Sequence, residues 1–155
     1  MLAYVFWHRP RADVSTTEYE VRLRAFHDSL DVPSASFRLG ELPFAPDSGY
    51  EDWYIVDAWS ELGELNANAV AGEHRERHAA IAELAGEGWG GVYALVRGAA
   101  QPPPAARWVS KPAGMDYEAF VGSLTAPTVW QRQLVLGPGA EFCLVEGEQA
   151  ERTRV

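Results

Sequence analysis

The chain holds a single cysteine, Cys143, so an intramolecular disulfide framework is excluded. Lysine is almost missing: Lys111 is the one lysine among 13 basic residues. With so much Ala, Gly and Arg around it, this reads as the codon bias of a GC-rich bacterial genome rather than a Schiff-base device. Basic residues are also outnumbered. The 22 acidic residues leave a net charge of −9, which disfavours nucleic acid and anionic membranes as general partners. No stretch of 18 consecutive apolar residues exists, so no segment reads as a membrane span. Residues 1–13 (MLAYVFWHRPRAD) carry no basic lead-in, so no secretory signal is expected and the expected compartment is cytoplasmic. No Gly-x-Ser-x-Gly elbow occurs. Residues 86–91 (GEGWGG) lack the lysine and the following helix of a phosphate loop, and Cys143 in a strand pattern reads as a buried, inert thiol.

Aromatic residues, in contrast, are plentiful. They make up 12% of 155 residues within a 47% apolar total, enough for one real core. Residues 2–8 (LAYVFWH) form a β-rich apolar run closed by Arg9 and Pro10. Ser15 and Glu18 have the spacing of a capping box, and Tyr19, Leu23, Phe26 and Leu30 then repeat as one face of a helix. Residues 34–42 read as a second strand, and 52–59 (DWYIVDAW) as the strongest strand of the chain. Residues 61–85 read as helical with a weak point at Gly72, and 89–96 as a fourth strand.

Residues 98–105 (GAAQPPPA) form a Pro/Ala linker. Beyond it lie a strand at 107–110, a short helix capped by Asp116, and strands at 128–136 and 141–145 joined by Gly137, Pro138 and Gly139. Tyr19 and Glu20 match Tyr117 and Glu118, and Leu39 and Gly40 match Leu136 and Gly137, as in a shortened repeat. The expected organisation is α+β: a ferredoxin-like βαββαβ unit over 1–97, the linker, a shortened βαββ unit over 106–147, and a frayed polar tail over 148–155.

One side of such a four-stranded layer carries bulky rings that need covering. The opening Trp7, His8, Arg9 and Pro10, with the capped helix bearing Tyr19, Phe26 and His27, is similar to that of EthD-like members of the dimeric α/β-barrel superfamily. The likeness is strongest over residues 2–97. It implies sheets packed face to face into an α/β-barrel, a homodimer, and a small-molecule ligand between the sheets. Superfamily members include monooxygenases, cyclases, decarboxylases and haem-handling proteins, so the resemblance speaks to fold more than to reaction.

The expected pocket takes Tyr4, Phe6 and His8 from the first strand and Trp53, Ile55, Asp57 and Trp59 from the third. There His8 or His27 moves protons and Asp57 orients the imidazole. The same rings also suit a plain core, with the histidines bonded to backbone. His74 and His78 stand four apart, as two metal ligands on a helix would, but Arg75 occupies the place where a zincin has Glu, and no third ligand is legible. The expected function is a cofactor-independent oxygenase, cyclase or lyase acting on a small apolar or aromatic metabolite. A non-catalytic ligand-binding or dimerisation protein and a haem or metal protein are the alternatives.

Overall fold

The structure is a computed structural model that describes residues 1–135, 137–145 and 152–155. Strand β1 (Leu2–Pro10) ends at its proline, and helix α1 (Thr16–His27) starts where the Ser15 hydroxyl accepts a hydrogen bond from the Glu18 amide at 3.2 Å. Tyr19, Leu23 and Phe26 are the buried face of α1, as their spacing dictates. Strands β2 (Ser34–Leu39) and β3 (Gly49–Val56) follow, and every residue of β3 is buried. The expected helix over 61–85 is two helices, α2 (Trp59–Ala71) and α3 (Arg75–Ala82), broken at Gly72. Strand β4 (Ala85–Arg97) begins four residues earlier than its apolar run suggests.

The second half contributes β5 (Arg107–Val109), α4 (Tyr117–Ser123, with Asp116 accepting from the Ala119 amide at 2.8 Å), β6 (Thr128–Val135), β7 (Phe142–Val145) and β8 (Arg152–Arg154). Of the expected tail, residues 148–151 lie outside the described residues, as does Leu136 at the expected end of the sixth strand. Arg152–Arg154 is not frayed but pairs with β2.

Among the described residues, all eight strands form one antiparallel sheet in the order β5-β7-β6-β4-β1-β3-β2-β8. The expected face-to-face pair of sheets is therefore a single sheet that curls on itself as a half-barrel. Trp108 of edge strand β5 lies 4.9 Å from Trp7 and 5.9 Å from Trp53, ring centre to ring centre, although three other strands lie between β5 and β1 in the sheet order. The rings of Trp7, Trp53, Tyr93 and Trp130 fill the concave face without solvent exposure. The chain thus covers its own aromatic face, and that face gives no reason for a homodimer.

At the centre of this concave core sits a carboxylate. Glu51 accepts the indole N–H of Trp7, Trp53 and Trp108 at 2.9, 2.6 and 2.9 Å, and pairs with the guanidinium of Arg152. The convex face is clad by helices: α1, α2 and α3 over β1, β3 and β4, and α4 over β6 and β7. Among the described residues no helix is long and apolar enough to cross a membrane.

Candidate active site

Because side chains alternate along a strand, β1 and β3 each send one set of residues inward and the other outward. Val5 and Trp7 with Trp53 and Ile55 point into the concave core. Tyr4, Phe6 and His8, with Tyr50, Asp52 and Tyr54, point toward the helices. The antiparallel register sets Tyr4 opposite Tyr54 and Phe6 opposite Asp52. This corrects the expected pocket, which joined residues from opposite faces. Trp53 and Ile55 belong to the filled core. Asp57 is exposed just beyond the end of β3, and Trp59 opens α2. A two-residue period continued through 52–59 fails there because the strand stops at Val56.

A cavity of about 580 Å³ lies on the helix side, between β1, β3 and β4 below and α1, α2 and α3 above. Its floor depends on glycine. Gly88 and Gly90 pair with His8 and Phe6, and a Cβ at Gly90 would stand 2.9 Å from the Tyr4 ring, while one at Gly88 would collide with the Phe6 ring. Their missing side chains let both rings lie across β4. The walls are Leu23, Phe26, Leu62, Leu65, Ala69 and Ile81, and Trp59 stands half-exposed at the lining. Apolar walls with a few grouped polar atoms are the usual character of a small-molecule site.

The polar groups centre on Asp52, which is 2% exposed. Its Oδ2 lies 3.0 Å from His8 Nε2 and 3.3 Å from His27 Nε2, and it accepts the Tyr54 hydroxyl at 2.9 Å. A carboxylate only accepts, so His8 presents a protonated Nε2 to it, and its Nδ1 lies 2.5 Å from the Tyr19 hydroxyl in a hydrogen bond whose direction the imidazole's protonation sets. His27 Nδ1 in turn meets the Ser34 hydroxyl at 2.9 Å. The close approach of both imidazoles to Oδ2 contrasts with their angles. Neither Nε2, nor Asp52 Oδ1, has a well-aligned hydrogen bond among the described residues. Distance settles the charge pairing here, since attraction between ions depends weakly on angle.

Burial alone would raise the Asp52 carboxyl, but His8 and His27 beside it prevail and hold it well below the usual carboxylate range. Tyr19 and Tyr54 shift the other way: burial first, then the Asp52 charge, raises both phenols, so both keep their protons and Tyr54 donates to Asp52. Phe6 and Tyr50 stack against the two sides of the His8 ring at 5.4 and 5.5 Å, and Tyr54 stacks on His27 at 5.1 Å.

Of the expected proton-moving residues, His8 and His27 thus come together, but the carboxylate between them is Asp52 and not Asp57. His8 lines the cavity and His27 stands behind it. The expected metal pair does not form a ligand set. His74 precedes α3 at its N-cap, where its ligand atom lies within 4.8 Å of those of Asp31 and Glu73, both exposed, whereas His78 lines the cavity with its ring edge-on to Phe26. His8, His27 and Asp52 do not converge as metal ligands either: the two nitrogens approach one oxygen from different directions.

Sequence reasoning missed Asp52, Tyr19, Tyr54 and the glycine floor. The alternation of Gly86, Gly88 and Gly90 at period two is the signal that marks a strand stripped of side chains on one face.

No family model, no curated protein and no solved structure matches this chain.

Proposed function

We propose that the protein binds a small, largely apolar or aromatic metabolite between its convex sheet face and helices α1–α3, and acts on it by acid–base chemistry without a cofactor. Isomerisation and cyclisation fit best, since each moves a proton from one atom to another with no other group lost; in an elimination the proton removed leaves with the departing group, as water or an acid. Cofactor-independent oxygenation would begin with the same proton removal. The observation that carries this reading is the Asp52 corner of the cavity. His8 stands between Asp52, 3.0 Å from its Nε2, and the Tyr19 hydroxyl, 2.5 Å from its Nδ1, at one end of a mostly apolar space that Asn66 and His78 also line. Such neighbours orient an imidazole and ready it for proton exchange.

The strand order β4-β1-β3-β2 supports reading residues 1–97 as a ferredoxin-like unit, and with it the proposed kinship to EthD-like members of the dimeric α/β-barrel superfamily. In this chain β6, β7 and β5 continue the same sheet, so the ligand is assigned to the helix side rather than the space between sheets.

Blocking the cavity tests the reading. Gly63 lies on α2 at the cavity lining, and a Cβ there meets nothing within 4 Å. Gly63→Trp puts a bulky indole at the cavity lining from a position with room for its Cβ, and replacing a helix-interior glycine adds up to about 0.5 kcal/mol of stability. A library of apolar and aromatic metabolites is screened by thermal shift. A ligand at about 100 times its Kd stabilises the wild type by about 2.7 kcal/mol, roughly 5–10 °C at this chain length. Gly63→Trp is expected to show an equal or higher Tm and no ligand shift. A variant that responds to the same ligands as wild type removes the cavity from consideration.

A further inference from the structure

We infer that His78 is the ligand-recognising group of this cavity, and that its ligand is a neutral hydroxyaromatic molecule, a phenol or an enol of similar shape, whose hydroxyl meets the His78 imidazole. The inference rests on the cavity being the binding site proposed above.

The polar corner at Asp52 is satisfied from within. His8 is 2% exposed, with Nδ1 on Tyr19 and Nε2 beside Asp52, so its ring nitrogens are engaged within the cluster and exchange protons with a ligand only through the Tyr19 hydroxyl, which lines the cavity. Asp52 Oδ2 already faces two imidazoles and the Tyr54 hydroxyl. His78 is the contrasting case. It is half-buried, lines the same cavity from α3, and its imidazole has no hydrogen bond or ion pair among the described residues. The edge of its ring packs at 5.6 Å and 65° against Phe26, which fixes the plane of the imidazole without occupying a nitrogen. Burial lowers its basicity, so at neutral pH the ring is uncharged, with one nitrogen donating and the other accepting.

The charge of the ligand follows from the rest of the lining. Neither arginine nor lysine lines the cavity among the described residues, so a carboxylate or phosphate would find no cation and would face Asp52. An ammonium group would find a carboxylate already compensated by His8 and His27. A neutral hydroxyl can donate to or accept from an uncharged imidazole, and the Asn66 amide that also lines the cavity carries no charge to favour an ionic ligand. The stacked rings of Tyr4, Phe6 and Tyr54, with centres 6.1 and 5.8 Å apart, supply a floor for a flat ring.

The test uses two probes that differ by one hydroxyl, 2-naphthol and naphthalene, titrated against wild type and variants by tryptophan fluorescence. Wild type is expected to bind 2-naphthol about tenfold tighter than naphthalene, the ratio one good hydrogen bond confers. His78→Leu, or His78→Phe if leucine disturbs α3, is expected to lose that preference while binding naphthalene at least as tightly. Tyr19→Phe is expected to keep it. Equal affinity of wild type for both probes, or a preference that survives in both His78 variants, overturns the assignment to His78 while leaving the cavity as a site. Binding of neither probe to wild type, with no effect of Gly63→Trp on any ligand, overturns the cavity reading itself.

Discussion

Replacing Glu51 with leucine is expected to cost at least about 4 kcal/mol, enough to leave a typical domain marginal. The carboxylate is 1% exposed and is the common acceptor for three indoles, Trp7, Trp53 and Trp108. It also neutralises Arg152, whose side chain is 2% exposed, lies 4.4 Å over the Phe37 ring and donates to the Pro103 carbonyl at 3.1 Å. Removing the carboxylate leaves a buried cation and the indole donors of Trp7, Trp53 and the partly buried Trp108 with no acceptor, and an orphaned buried charge alone costs about 3–5 kcal/mol. The double substitution Glu51→Leu with Arg152→Met removes the cation as well and should recover part of the loss. Urea unfolding followed by tryptophan fluorescence measures both. A Glu51→Leu protein within about 1 kcal/mol of wild type would show that the three indoles and Arg152 find other partners.

The second large effect is at Asp52. Asp52→Ala deprives His8, His27 and the Tyr54 hydroxyl of their shared acceptor and should cost about 3 kcal/mol, since bonds to a charged acceptor are worth roughly 1.5–3 kcal/mol and are not additive. The substitution also changes the acid response. The folded-state pKa of Asp52 is depressed, so in the unfolded chain the group takes up its proton at about pH 4 while the folded chain still holds it ionised. Its contribution is therefore fully present above about pH 4 and is lost as pH falls below that value toward the folded pKa. Wild type should lose stability steeply below pH 4, and Asp52→Asn should lose it more gradually. Parallel acid limbs in the two proteins would mean that Asp52 is not held ionised by its neighbours.

Local features of the chain were readable without coordinates because they depend on neighbours within one helical turn or one strand. The Ser15 cap, the buried stripe of α1, the weakness at Gly72 and the cap at Asp116 are all of this kind. So is the β-α-β-β-α-β order of the first half, with the helix split in two. His8 and His27 were each legible as candidate proton carriers, but that both stand beside Asp52 was not.

What failed was the choice of face. Alternation separates Trp53 from Asp52, but it is symmetrical, and nothing local tells which set looks toward the helices. Taking Trp53 as the pocket side put the cavity on the wrong side of the sheet and passed over Asp52.

The sequence by itself determined which residues can share a face, where helices begin, and that an unusually aromatic core had to be enclosed. Only the tertiary structure decided how that enclosure is made and what it leaves open. Trp7 reaches Glu51 across 44 positions and Arg152 reaches it across 101. Contacts at such separation arise from strand register and from the curl of the whole sheet, which no short window of residues encodes. That curl turns the tryptophan face into solid core and leaves the opposite face, roofed by α1–α3 and floored beside glycines of β4, as the cavity that His78 and the Asp52 cluster line.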